Sequence, residues 1–186
     1  TLDFLGFTDD EGRIYACPFC GDRIVCTKDV FYGRCPACHA TVVDYKPLPH
    51  QVDFHKSPAL YRLLMGGYGT GKTTMCAAEI THHAMTVENG RTLITAPILN
   101  QVKEAVLPEL DKFIPPWLIK HRTKSPTPRY ELTNGHEIVV FASDQDEKLR
   151  SLNLTAFYME EASAVDVSIF YQLQARQIGR ASCRER

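Results

Sequence analysis

Eight residues, Gly66-Gly67-Tyr68-Gly69-Thr70-Gly71-Lys72-Thr73, carry the densest chemistry in the chain. Their spacing is G-x-x-x-x-G-K-[ST], the phosphate-binding pattern called Walker A. Each residue type has a physical reason. Glycines at Gly66, Gly67, Gly69 and Gly71 let the backbone take positive φ and turn N–H groups toward phosphate oxygens. Tyr68 and Thr70 fill the variable positions and line the same loop. Lys72 brings a mobile point charge to the β- and γ-phosphates. Thr73 offers a hydroxyl to Mg²⁺, and with Thr74 opens a helix whose N-terminus favours anions. A chance glycine-rich turn is the competing reading; a strand before it and a helix after it argue against that.

A second group lies far downstream. Ala156-Phe157-Tyr158-Met159 is an apolar run that ends in Glu160-Glu161. A carboxylate at the end of a buried strand can hold the Mg²⁺ shell, and a following carboxylate can activate water. Glu160 is expected in the metal-side role and Glu161 as general base. An apolar run followed by two glutamates is common by itself; its place after a Walker A loop, with strands and helices alternating between, gives it weight. Gln51, ahead of the loop, has an amide that can donate to N7 and accept from N6 of adenine, which fits ATP better than GTP. The competing reading is a helix with one exposed glutamine.

The third group is Cys17-Pro-Phe-Cys20 and Cys35-Pro-Ala-Cys38. Four thiolates in two CxxC knuckles suit a tetrahedral Zn²⁺ site, here structural, because so small a module has little core of its own. A redox pair would carry one such motif beside a βαβ unit. Arg23 to Thr27, Val30 to Arg34 and Thr41 to Tyr45 are the strands expected around it. Arg13, Arg23, Lys28 and Arg34 among Phe19, Phe31 and Tyr32 suit a DNA or protein contact, with solvated surface charge as the alternative.

The rest of the chain must position these groups. Its 186 residues, 44% apolar and 23% charged with net charge −1, allow one good core and a small appendage, with no global basic field. No apolar run is long enough for a membrane span and no signal peptide opens the chain; the CxxC spacing and the nucleotide loop point to metal in a reducing cytosol, so a cytoplasmic setting is expected. Tyr61 to Met65 is expected as a short buried strand feeding the loop, and Thr74 to Val87 as the helix leaving it. Asn89-Gly90 turns into a strand over Arg91 to Ala96; a helix over Asn100 to Phe113 is kinked by Pro108. The segment 115–128, basic with Lys120, His121, Arg122, Lys124 and Arg129 in a short span, is expected as a DNA-facing loop or a solvated connector. Thr133-Asn134-Gly135-His136 joins a hairpin, and Asp166 opens a helix running to Gln177. The expected fold is α/β, a P-loop NTPase three-layer fold with a mainly parallel sheet, preceded by a small β zinc ribbon. The expected domains are 1–46 for the ribbon and 47–177 for the ATPase, joined across Lys46 to His50. Residues 178–186, IGRASCRER, read as a common short-read sequencing adapter translated in frame, an artefact of assembly.

Taken together the chain resembles the ATPase half of phage large terminases. The resemblance is carried by QVDFHKSPALYRLLMGGYGTGKT, by FASDQDEKLRSLNLTAFYMEEAS and by the FYQLQAR helix, over about residues 50–177. It implies a virus-encoded motor that hydrolyses ATP to move double-stranded DNA into procapsids, works as a homo-oligomeric ring with a portal protein and a small terminase subunit, and carries a C-terminal nuclease. By it, Gln51 sits near adenine, Lys72 and Thr73 at phosphate and Mg²⁺, Glu160 at Mg²⁺ and Glu161 behind the water. Many relatives have an arginine inside the loop where this chain has Tyr68, so the charge-stabilising arginine must come from elsewhere; Arg129, Arg150 and Arg176 are candidates. Two other classes compete: a zinc-ribbon, helicase-like, nucleic-acid-dependent ATPase, and a non-catalytic module that a nucleotide merely switches.

Overall fold

The computed structural model describes residues 4–7, 13–16, 20–26, 37, 45, 47–145 and 149–177. By backbone proximity the chain divides into two compact units, 1–82 with 109–115 and 83–108 with 116–186.

The first unit opens with three short strands, β1 (Phe4–Phe7), β2 (Arg13–Ala16) and β3 (Arg23–Cys26), in an antiparallel sheet of that order. Cys20 stands in the turn between β2 and β3, and Gly21 after it has φ +76°, the left-handed conformation that glycine takes without steric cost. Cys17, Cys35 and Cys38, the strand expected over Val30 to Arg34 and the segment 178–186 lie outside the described residues. The described residues hold no group of three or more potential metal ligands.

Helix α1 (Pro49–Lys56) follows. Pro49 occupies the first turn, where its missing N–H costs nothing, so the expected linker through His50 is already helical at its end. The strand expected over Tyr61 to Met65 does not form. Leu63 and Met65 are 74% and 83% exposed, and no described strand pairs with them. Apolar residues alone do not make a strand, because an extended segment is stabilised by ladder hydrogen bonds and cross-strand contacts. Beyond the loop, α2 (Lys72–Thr86) is a 15-residue helix rich in alanine. Met75, Ala77, Ala78 and Ile80 along it are fully buried.

The second unit is built on five strands. These are β4 (Arg91–Ala96), β5 (Ile119–Thr123), β6 (Arg129–Leu132), β7 (Glu137–Ala142) and β8 (Ala156–Met159), in the order β5-β6-β7-β4-β8. β4 pairs in parallel with β7 and β8, whereas β5, β6 and β7 pair antiparallel. β4 is an interior strand, between β7 and β8, and is buried from Thr92 to Ala96, the continuous run typical of a parallel strand covered on both faces. Leu93 and Val139 join Leu149, Leu152, Leu154, Ile169 and Leu173 in one apolar cluster.

The connector expected over 115–128 is partly a strand. Pro116–Leu118 make a 3₁₀ turn and β5 then pairs with β6 as the edge of the sheet. The hairpin provides a ready ladder, and exposed Lys120 and His121 suit an edge that must not recruit another strand. The helical stretch 99–113 also departs from a simple kink. Between α3 (Leu99–Gln101) and α4 (Leu107–Phe113) lies a π turn, Val102–Val106, closed by the Leu107 N–H on the Val102 carbonyl. Pro108 cannot donate to residue 104 and its ring crowds that carbonyl, so the helix widens just ahead of it. The last described helix, α5 (Val167–Ala175), is capped by Asp166, whose carboxylate accepts from the Ser168 N–H at 2.8 Å.

Candidate nucleotide site

In the first unit, two of the four loop glycines take the positive φ expected of them, and Gly66 and Gly67 do not. Gly69 and Gly71 have φ of +76° and +75°. The loop is tied internally: Thr70 Oγ1 donates to the Gly67 carbonyl at 3.0 Å, and His50 Nε2 lies 3.2 Å from the Thr70 carbonyl. Lys72 Nζ donates to the Gly66 and Gly67 carbonyls at 2.8 and 2.7 Å, so its ammonium is held over the loop that it is expected to serve. Tyr68 projects fully into solvent. Thr73 follows Lys72 into the first turn of α2, and Thr74 Oγ1 donates to Glu109 at 3.1 Å. Glycine backbone, ammonium and helix-start hydroxyl form a donor set of the kind that suits a phosphate-bearing anion.

Gln51 is brought to the loop and is buried there, so the competing reading of an exposed glutamine does not hold. It is 3% exposed. Its Oε1 accepts from the Leu48 N–H at 2.8 Å and from the Tyr45 hydroxyl at 3.0 Å; its Nε2 donates to the Gly71 carbonyl at 3.2 Å. Behind it lies a polar relay with no sequence signature. The Tyr45 hydroxyl lies 3.1 Å from His55 Nε2, His55 Nδ1 is 2.5 Å from Glu79 Oε1, and Arg62 donates to both Glu79 oxygens at 3.3 and 2.8 Å. Arg62 also covers the Phe54 ring at 4.7 Å and donates to the Phe54 carbonyl. Burial alone raises the Glu79 pKa, but hydrogen bonds from His55 and Arg62 and their charges outweigh it and take the carboxyl down to about 2. Burial, with the Glu79 charge, pushes the Tyr45 hydroxyl up to about 12, keeping it a proton donor. A glutamate seven residues after the loop lysine, on the buried face of an alanine-rich helix, was the one available clue to this relay.

In the second unit, β8 ends at Met159 and the Glu160 N–H bonds the Thr95 carbonyl at 2.8 Å, carrying the parallel pairing one residue past the strand. Glu161 then adopts φ 49° and ψ 46°, the left-handed region that costs a non-glycine residue about 1–2 kcal/mol. Its exposed carboxylate accepts from Gln101 Nε2 at 3.0 Å, and Gln101 Oε1 accepts from the Ile98 N–H at 3.3 Å. Gln101 follows β4, the strand beside β8, and nothing in its local sequence marks it. The three candidate arginines also separate. Arg129 is occupied by Glu137, with Glu131 3.6 Å away. Arg150 and Arg176 are exposed, and Arg176 closes α5.

The polar core of this unit is set by the hairpin. Asn134 Nδ2 donates to the Ala84 carbonyl at 2.8 Å and its Oδ1 accepts from the His136 N–H at 3.1 Å. His136 is fully buried, with Nδ1 2.7 Å from the Val87 carbonyl and Nε2 2.9 Å from Thr92 Oγ1. The carbonyl requires the proton on Nδ1, leaving Nε2 to accept from threonine. Burial lowers its pKa, favouring this neutral form.

Comparison with known proteins gives a consistent outcome. The chain is similar in structure to the ATPase domain of the Thermus phage P74-26 large terminase, with a TM-score of 0.60 and 17% identity over 73% of this chain and 61% of that one. It is also similar to the large terminase of a thermophilic bacteriophage, with a TM-score of 0.52 and 12% identity over 61% of this chain and 30% of that one. That same bacteriophage protein in complex with ADP matches with a TM-score of 0.51 at 13% identity, over 62% of this chain and 30% of that one. The chain thus spans less than two thirds of the length of each of these relatives. No curated protein matches it by sequence. The family model for the phage terminase large subunit matches residues 59–182, taking in the loop, the strand-end glutamates and α5, and on that match this chain belongs to the phage terminase large-subunit family.

Proposed function

We propose that this chain is the ATP-hydrolysing part of a viral DNA-packaging motor. The observation that carries the reading is the phosphate loop, with left-handed Gly69 and Gly71 and the Lys72 ammonium poised over it, inside the region that matches the family. Lys72 would exchange its contacts with the Gly66 and Gly67 carbonyls for β- and γ-phosphate oxygens. The hydroxyl of Thr73 and the carboxylate of Glu160 would hold Mg²⁺, which when bound neutralises charge on the phosphoryl group. Glu161 would orient the attacking water and take its proton. Since Tyr68 leaves the loop without an arginine, a stabilising guanidinium would come from elsewhere in this chain, with Arg129, Arg150 and Arg176 as the candidates, or from a neighbouring subunit.

On this reading the substrate polymer is double-stranded DNA, the assembly a homo-oligomeric ring acting with a portal protein and a small terminase subunit, and the setting the cytoplasm of an infected bacterium. No helix of the described residues is long and apolar enough to cross a membrane. Cys17, Cys20, Cys35 and Cys38 would hold a structural Zn²⁺ in the ribbon of residues 1–46. A nuclease would follow in the complete protein. The test is ATP turnover by the assembled protein. Both Lys72→Ala and Glu161→Ala should lower it by at least about 10²-fold, the scale for removing one transition-state group. Lys72→Ala should also lose nucleotide affinity while Glu161→Ala keeps it. Normal turnover by either variant rejects the assignment.

A further inference from the structure

We infer that Gln51 is a positioning residue for the phosphate loop, acting through the Gly71 carbonyl, and that it does not select adenine. The inference rests on the nucleotide-site reading and concerns how that site is held and which nucleotides it takes. Its first support is a count of hydrogen-bonding capacity. A glutamine amide has two acceptor lone pairs and two N–H donors. Both lone pairs of Oε1 are taken, by the Leu48 N–H and the Tyr45 hydroxyl, and one N–H is taken by the Gly71 carbonyl. The orientation of the amide is not arbitrary, since an N–H donor on one side and a carbonyl on the other permit only this assignment. What remains is at most one N–H. Adenine is told from guanine by its N6 amino donor, which needs an acceptor, whereas N7 is an acceptor in both purines. Gln51 has no acceptor left for N6.

The second support is mechanical. Gly71 is the last residue before the lysine, its φ of +75° sets the direction in which the next N–H groups point, and a Cβ there would lie 2.7 Å from Gln51 Nε2. The amide therefore packs against the residue on which the loop turns into α2, and the Met75 N–H bonds the same carbonyl at 2.9 Å. Behind Gln51, Tyr45 and His55 connect it to the Glu79–Arg62 pair, which lies two turns further along α2. The loop exit and the helix it enters are thereby braced from the same buried group, and a fixed cradle loses less freedom when phosphate binds.

The bond to Leu48 shows that Gln51 also caps α1, as the third residue of the helix reaching back to the residue before it. Gln51→Glu separates the two roles: a carboxylate still accepts from Leu48 and Tyr45 but cannot donate to the Gly71 carbonyl. Gln51→Met removes the donor without adding charge. The experiment is calorimetric titration of the chain and both variants with ATP, GTP and inorganic tripolyphosphate in the presence of Mg²⁺, with thermal unfolding followed in parallel. The expected result is a loss of about 5- to 10-fold in affinity for all three ligands in both variants, the scale of one hydrogen bond. The wild-type ATP-to-GTP ratio should be small and unchanged by either substitution. Tyr45→Phe, which keeps the ring edge-on to Phe113 but loses the hydroxyl, should shift all three affinities in the same direction by a smaller factor. Unchanged tripolyphosphate affinity with a collapsed ATP preference would overturn the inference in favour of base reading. A loss with Gln51→Glu but not with Gln51→Met would overturn it as a charge effect. A wild-type chain that binds none of the three ligands would reject the nucleotide site itself, and the inference with it.

Discussion

Among the described residues, the phosphate loop and the strand-end glutamates are held in opposite ways. Gly66 to Thr73 is shaped by its own glycines, by the Thr70 and Lys72 bonds to loop carbonyls, and by the brace from Gln51. Glu160 and Glu161 owe their position to partners distant in sequence: the parallel pairing of β8 with β4, the Thr95 carbonyl and the Gln101 amide. One region needs mainly local backbone freedom, the other a sheet. The difference shows in where positive φ falls. In the loop positive φ falls on glycine, where it is nearly free; at Glu161 it falls on a residue with a side chain, the one proposed as general base, and the αL cost is borne there.

The brace is the place where the contrast breaks most readily. Glu79→Ala leaves His55 and Arg62 facing a hole. It should destabilise the first unit by about 3 kcal/mol, the low end for a broken buried pair, because the Arg62 side chain keeps 23% of its surface in water. Chemical denaturation monitored in the Glu79→Ala variant measures this. A smaller effect separates two glycines of the loop. Gly71→Ala puts a Cβ against Gln51 and forces alanine to a φ of +75°, at a cost of about 1–2 kcal/mol for the backbone alone. Gly67→Ala meets nothing within 4 Å and should stay within about 0.5 kcal/mol of wild type. Equal losses at the two positions would mean that the brace does not act at Gly71.

Acid should take the units apart in sequence. His136, buried neutral, has its folded pKa lowered from 6.5, so the unfolded chain binds the proton first and the stability of the second unit declines as pH falls below 6.5. Glu79, with its folded pKa lowered from 4.5 to about 2, stabilises the first unit above 4.5 and loses that contribution as pH falls toward 2. Amide exchange followed across this range should show Thr92 and Val139 losing protection before Met75 and Ile80; the reverse order would contradict the assignment. The smallest expected effect is at Gln101. Its exposed bond to Glu161 is worth about 0.5–1.5 kcal/mol, so Gln101→Ala should change turnover by less than about 15-fold with nucleotide affinity unchanged. A change in affinity alone would detach Gln101 from the role proposed for Glu161.

Periodicity and turn chemistry made much of the second unit legible. The strand bounds at Arg91 to Ala96 and Ala156 to Met159, the Thr133-Asn134-Gly135-His136 turn and the Asp166 cap all stand where local rules put them. Tyr61 to Met65 shows the limit, since the same apolar signal formed no strand without a neighbour to pair with. β5 shows the converse, a polar segment made into a strand by the edge of β6.

What the amino-acid sequence determined by itself is the chemistry that depends on residue type and short spacing: glycines that turn, a lysine and a threonine at a helix start, glutamates after an apolar run. These follow from backbone freedom and from charges within a few residues. What tertiary structure decided is how each group is held and how much of it is left for a ligand. Gln51 presents an adenine-reading amide on paper. Only folding, which brings Tyr45, Leu48 and Gly71 around it, used up its acceptors and made it part of the loop's support. The hydrogen bonds a side chain keeps in reserve depend on neighbours that local pattern does not reveal.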